Sequence, residues 1–401
     1  MDRTVFTALL ILGSIVLVNR WQIVIKTLQR SWPLAFFLLY CLVSIAWSDF
    51  PDIAFKRFIR ELGNWVMILV LWTDPQPLAA LTTLMARTSY LLIPLSVLFV
   101  KYYTIGRDYG FWVGETMYIG VTEDKNTLGM ICVLFGVTSL WRLLNLVAKD
   151  GHNTHNRGRH LTVQCTILAL VVFLLVKADS VTSISCAVLL TFVLVSLRCR
   201  MFARRRFLVH LLVLVIIAIP LLALFIAPSP DAFQAVGRTA TLTDRTVIWA
   251  WVIKLVPNEW LGAGYSSFWL GERLNIMISN VTHTWVPNQA HNGYLEVFIN
   301  LGWVGVGLLG LLILWGYFTI IAAWRQKRPA SDLMLAYFLY GLISNISEAS
   351  FFRNLVPAWL FFLIAITMPT VKRGQSYLPV IPCKPNRSAA AVFERTAFDT
   401  I

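Results

Sequence analysis

Long apolar runs, each bracketed by charged or polar residues, fill the chain from residue 4 to residue 371. A helix needs about 20 apolar residues to cross the hydrocarbon core of a bilayer. On that scale the pattern predicts about eleven spans, within a range of roughly ten to twelve. Their approximate limits are 4–19, 31–47, 57–73, 78–100, 126–148, 161–176, 181–197, 207–227, 301–323, 332–347 and 355–371. The expected fold is all-α and polytopic. It has one transmembrane domain over 1–371, one long external loop at 228–300, and a cytoplasmic tail over 372–401 with the composition of a flexible segment.

Composition narrows the class. Hydrophobic residues make up 58% of the chain and charged ones 13%, against about 25% charged in an ordinary soluble domain. Disorder and a soluble fold are therefore excluded. The formal net charge of +14 has its source in alternate linkers, where Arg20, Lys26 and Arg30, the run Arg198–Arg206, and Arg325, Lys327 and Arg328 collect. The positive-inside rule makes these linkers cytoplasmic, with the C-terminus inside and, for an odd span count, the N-terminus outside. A re-entrant piece in 20–30 would move the N-terminus inside. The opening run has no net positive flank and no small-x-small site before Trp21, so it reads as a retained helix and not a signal peptide. The basic runs Arg198–Arg206 and His152–His160 suit lipid headgroups; nucleic acid is not an expected partner, because no soluble reader domain exists. Cys41, Cys132, Cys165, Cys186, Cys199 and Cys383 all fall in spans or cytoplasmic segments, without metal-site spacing, so no disulfide framework is expected.

Only the 228–300 loop is long enough to hold much chemistry outside the membrane. Asp244 predicts an N-cap, Arg245 to Leu255 a short helix stopped by Pro257, and Leu261-Gly262-Ala263-Gly264-Tyr265 a tight turn. Asn288 predicts the cap of a further helix with His291 in its first turn. A helix N-terminus attracts phosphate and disfavours imidazolium, so His291 there stays neutral, as a general base requires. The plain alternatives are that His291 bonds a loop carbonyl and that Arg245 pairs with Glu259 or Glu272.

Other clusters carry weaker signals. The Gly262-Ala263-Gly264 turn lacks the strand and third glycine of a dinucleotide site. Ser180, Thr182 and Ser183 at a span's outer end read as a helix cap. His283 and His291 have no clear third metal ligand. The pairs Glu123-Asp124 and Asp49/Asp52 suit capping and loop solvation better than a divalent ion.

Several ordered pieces resemble one family. Leu242-Thr243-Asp244-Arg245-Thr246-x-x-Trp249, Pro257, Gly262-x-Gly264, Phe268, His291-Asn292-x-Tyr294-Leu295 and Leu301-Gly302-x-x-Gly305 look like the signature of the O-antigen ligase and polymerase superfamily, which includes polymerase-like exopolysaccharide production proteins. Trp47-Ser48-Asp49-x-Pro51-x-x-Ala54-x-Lys56-Arg57 and Lys125-Asn126-x-Leu128-Gly129 agree with it. The signature itself spans about 180–310, and the wider resemblance most of 40–310.

That resemblance implies a multi-helical, GT-C-like glycosyltransferase in a bacterial inner membrane, working on the periplasmic face. Its donor is a glycan on undecaprenyl diphosphate; its acceptor is a lipid A-core sugar in a ligase or a lipid-linked repeat unit in a polymerase. It implies no nucleotide sugar, no metal and no cofactor. Arg245 then meets the diphosphate and His291 takes the acceptor proton, with inversion at the anomeric carbon. Further substrate contacts are expected from Arg238, Lys177, Arg57, Lys125, Asn292, Gly262, Gly264 and Arg353. Ligases of the family commonly carry a Ser-Arg pair at the outer end of a mid-chain span. Here the stretch reads Ala178-Asp179-Ser180-Val181-Thr182-Ser183, which favours a polymerase-like or exopolysaccharide-type member. A transporter or flippase of lipid-linked glycans is the competing class, but it is expected to place ionisable residues along a mid-span path. Here the middles of the spans are nearly charge-free, with Arg87 the clear exception.

Overall fold

In the computed structural model the described residues are 3–109, 116–148, 157–205, 207–226, 241–283, 286–353 and 356–368. Apolar periodicity has become helix along almost all of them. Helix α1 (Arg3–Val18) turns through 96° into the amphipathic α2 (Trp21–Arg30), and α3 (Trp32–Val43) runs into a 3-10 turn at Ser44–Trp47. Next come α4 (Pro51–Trp72), α5 (Pro77–Tyr102), α6 (Lys125–Ala148), α7 (Arg157–Ala178), α8 (Val181–Ser196), the short α9 (Arg200–Arg204) and α10 (Phe207–Ile226). In the expected external loop lie α11 (Thr241–Lys254) and α12 (Gly271–Met277), the latter followed by a π turn at Ile278–Thr282. Helices α13 (Gly293–Arg325), α14 (Ser331–Ser347) and α15 (Pro357–Thr367) complete the bundle.

The mainly helical expectation holds, with one small hairpin added to it. The chain is not purely helical: β1 (Arg107–Tyr109) pairs antiparallel with β2 (Thr116–Tyr118), Arg107 opposite Tyr118. Among the described residues, four helices are long and apolar enough to cross a membrane: α5, α6, α7 and α13. The α1–α2 pair makes a fifth if its two arms count as one span. The other predicted spans fall on helices that are shorter, such as α3, α8 and α15, or charged, such as α4 with Asp52, Lys56, Arg57, Arg60 and Glu61. A multi-pass membrane protein remains the architecture. Its lateral surface is apolar, with Leu91, Val172, Val176, Val188, Phe192, Leu214, Leu314 and Phe318 exposed, as lipid contact requires.

Helix α14 is the axis of the packing: every residue from Leu333 to Ile346 is buried. A helix apolar on all sides belongs inside its bundle. It packs against α6, α8, α10, α13 and α15. Helix α13 enters the bundle through a break at Gly302, where φ is 65° and ψ −166°. The amides freed by the break are satisfied by the loop, as Trp303 N–H donates to the Glu259 carbonyl at 2.8 Å and Val304 N–H to that of Trp260 at 3.2 Å. A Cβ at 302 would lie 2.2 Å from the Trp260 carbonyl. Glycine is required there on both counts.

Candidate functional site

The loop carries a small core of its own. Ile248 and Val252 on α11 pack with Phe268, Met277, Ala290 and Ile299. Spacing of three and four residues puts Arg245 and Trp249 on the same side of α11 as these apolar positions. The Trp249 indole donates to the Ala290 carbonyl at 2.8 Å, tying α11 to the segment that ends in His291. Glu296 holds that segment from the other side: its carboxylate is buried and accepts from Ala290 N–H at 3.0 Å, Trp269 Nε1 at 2.8 Å and Asn300 Nδ2 at 3.2 Å.

Arg245 and His291 thereby reach one carboxylate, which the sequence reading passed over. Arg245 Nη2 lies 4.0 Å from Glu348 Oε1, and His291 Nδ1 lies 3.6 Å from Glu348 Oε2. Glu348 ends α14, and its side chain is 15% exposed, against 25% for Arg245 and 26% for His291. Asn126, second residue of α6, donates to Glu348 Oε1 at 3.1 Å. The buried His291 Nδ1 has no hydrogen-bond partner among the described residues. His291 also sits at φ 50°, a left-handed conformation costly for a residue with a Cβ, of the kind that clusters at functional sites.

Three helix starts face this carboxylate. Asn126 belongs to the start of α6, and His291 directly precedes the start of α13. Thr182, at the start of α8, shares a 2.9 Å hydrogen bond with Ser347 beside Glu348. Helix N-termini bring partial positive charge and suit phosphate. Close packing brings the starts in: a Cβ on Gly293 would fall 1.9 Å from Asn345 Oδ1, and one on Gly129 2.3 Å from Ser183 Oγ.

The local geometry revises several expectations. Helix α11 begins at Thr241, so Asp244 lies inside it and is not its N-cap. Helix α13 is capped by Asn292, whose Oδ1 accepts from Tyr294 and Leu295 N–H at 3.0 and 3.1 Å. Asn288 is thus not the cap, and His291 precedes the helix instead of lying in its first turn. Arg245 meets Glu348, not Glu259 or Glu272. Ser180 does cap α8, accepting from Ser183 N–H at 3.4 Å. Asp124 Oδ1 accepts from Asn126 and Thr127 N–H, both at 2.9 Å, and Asp49 Oδ2 lies 2.7 Å from Arg273 Nη2. No group of three metal-ligating side chains occurs among the described residues.

The remaining residues expected at the substrate divide. Lys125 opens α6 next to Asn126, whose side-chain amide donates to Glu348. Asn292 adjoins His291, but its side-chain oxygen is occupied by the cap. Gly262 and Gly264 are buried, their missing Cβ atoms making room for the Asn300 backbone and for Ser44 and Ser48; they serve the packing of the turn. Arg57 donates to the Ser266 carbonyl, and Arg353 to Gln289 Oε1. Arg353 also lines, with Tyr265, Ser266, Glu296 and Asn300, a cavity of about 40 Å³, water-sized and too small for a sugar. Burial pushes the Tyr265 phenol well above its ordinary pKa, so it stays neutral. Lys177 is exposed at the end of α7, its ammonium 5.2 Å from the Tyr118 ring centre. Arg238 lies outside the described residues.

No curated protein matches the chain. Residues 165–310 match the family model described as O-antigen ligase, a stretch that holds both Arg245 and His291 and ends beyond the Gly302 break. That match supports the resemblance to the O-antigen ligase and polymerase superfamily over residues 165–310.

Proposed function

We propose that this protein is an inner-membrane glycosyltransferase that transfers or polymerises a glycan carried on undecaprenyl diphosphate, with its active site on the periplasmic face around Arg245, His291 and Glu348. The observation that carries the reading is the meeting of a guanidinium and an imidazole, both from the stretch that matches the ligase family, on one carboxylate beyond it.

The chemistry follows from that arrangement. The acceptor hydroxyl attacks the anomeric carbon as the bond to the diphosphate oxygen breaks, which inverts the configuration. Glu348, facing Nδ1, favours the tautomer with the proton on that nitrogen, leaving the Nε2 lone pair to take the hydroxyl proton. Contacts of 3.6 Å without substrate are of the kind that tighten in a Michaelis complex. Arg245 donates to the departing diphosphate in place of its long contact with Glu348, helped by the three helix starts. Lys125 and Lys177 are candidates for further donor contacts. Among family members, the absence of a Ser-Arg pair at 178–183 favours the polymerase or exopolysaccharide type. Lipid A-core and lipid-linked glycan remain the two acceptor classes to separate.

The test is a strain lacking the native gene, complemented with Arg245→Ala or His291→Ala at equal membrane abundance. Loss of long-chain surface glycan in both is expected, and normal glycan in both overturns the assignment. Accumulation of single lipid-linked repeat units in the deletion strain identifies a polymerase; accumulation of unattached long polymer identifies a ligase.

A further inference from the structure

The end of the bundle opposite His291 holds a cavity of about 910 Å³, a volume within the range of small-molecule sites. Cations reach its wall from separate elements: Arg142 on α6, Arg198 after α8, and Arg325, Lys327 and Arg328 at the end of α13 and the turn beyond. Asp332, the one carboxylate among the described residues of the wall, is already engaged. Arg198 Nη2 lies 2.7 Å from its Oδ2, and the Trp141 indole donates to its Oδ1 at 2.8 Å. The lining is therefore strongly net positive.

Two further features narrow the ligand. Trp141 and Trp324 both line the cavity, and indoles gather where headgroups meet acyl chains. Gln164, in the same wall, is 1% exposed. Its Nε2 donates to the Tyr90 hydroxyl at 2.7 Å, while its Oε1 has no hydrogen-bond partner among the described residues. A buried acceptor without a donor is costly, and an O–H group on a ligand would complete it.

The geometry points to a binding site for an anionic phospholipid headgroup that carries one phosphate diester and free hydroxyls, of the phosphatidylglycerol class. Guanidinium groups take the phosphate oxygens, a headgroup hydroxyl donates to Gln164 Oε1, and the indoles rest at the glycerol level. By the positive-inside pattern this end faces the cytoplasm, the setting in which basic pockets between helices collect anionic lipid. Soluble glycerol phosphate offers the same polar chemistry without acyl chains. None of these residues belongs to the Arg245 site, so the two readings stand or fall separately.

The test uses the delipidated full-length chain in detergent, with bound lipid counted by native mass spectrometry. Phosphatidylglycerol should be retained at least about tenfold better than phosphatidylcholine, as expected for two or more cations on one phosphate. Arg325→Gln, at an exposed position, should weaken phosphatidylglycerol retention about fivefold, near the value of one cation at a charged lipid surface. Gln164→Leu should weaken phosphatidylglycerol but leave phosphatidylmethanol, an anionic diester with no hydroxyl in its headgroup, unchanged. Equal retention of phosphatidylglycerol and phosphatidylcholine by the wild-type chain overturns the site. Unchanged phosphatidylglycerol binding in both variants overturns its location. Displacement of the lipid by equimolar glycerol phosphate overturns the lipid as occupant.

Discussion

Glu348 is the residue on which the proposed chemistry turns, and its role separates from that of its neighbours in kinetics. Glu348→Gln keeps the shape but removes the charge facing imidazole. Turnover should fall by about 10²-fold, while KM for the lipid-linked donor does not rise, because a negative charge beside the diphosphate is lost. Arg245→Ala should both lower turnover and raise donor KM, and His291→Ala should cost about 10²–10⁴ in turnover. Steady-state assays with purified donor distinguish the three patterns. Arg245 and His291 were singled out in the sequence by the pieces that resemble the ligase family. Glu348 was not, although the chain carries no other acidic residue between Asp332 and Glu394. A lone carboxylate at the end of an apolar run was the available signal, but its distance along the chain from residues 245 and 291 hid the contact.

Among the elements, the loop is anchored by backbone geometry that periodicity does not reveal. The Leu301-Gly302-x-x-Gly305 motif looked like the start of a span. In the fold it is the break through which α13 receives loop carbonyls at Trp303 and Val304. Gly302→Ala should lower stability by about 1–3 kcal/mol through the left-handed backbone alone, with more from the clash at Trp260. Thermal unfolding in detergent measures this. Trp249→Phe keeps the ring but removes the bond to Ala290, a loss of about 0.5–1.5 kcal/mol. Reduced transfer at normal membrane abundance is the expected result. Helix existence was legible almost everywhere, since the apolar runs are long. Helix ends were less so: caps at Asp244 and Asn288 gave way to a helix that already includes Thr241 and a cap at Asn292, because Asn288 and Asn292 both suit a cap and the close packing of Gly293 on Asn345 favours the second.

For the whole molecule, the balance of charge between the two ends of the bundle carries an orientation that labelling can read. Cys199 is exposed beside the basic run after α8, and Ser279 is exposed in the turn after α12. A membrane-impermeant maleimide should modify Ser279→Cys in intact cells whose outer membrane is permeabilised. It should reach Cys199 only in inverted vesicles. The reverse pattern would turn the protein over and move the proposed site to the cytoplasm. Transfer should also survive excess chelator in a purified assay, since the proposed mechanism asks nothing of a metal. At this scale hydropathy counts about eleven apolar runs, while among the described residues four helices, or five with the α1–α2 pair, are long and apolar enough to cross by themselves, and α14, shorter than these, is a core axis packed among other helices.

That axis has a consequence for how the family fold can diversify. The carboxylate proposed to orient the base is fixed to the most deeply seated helix, whereas the surface that would greet a sugar is made of loop and helix tips. Substitutions at the rim can then retune which glycan is accepted while the atoms that manage the proton keep their register.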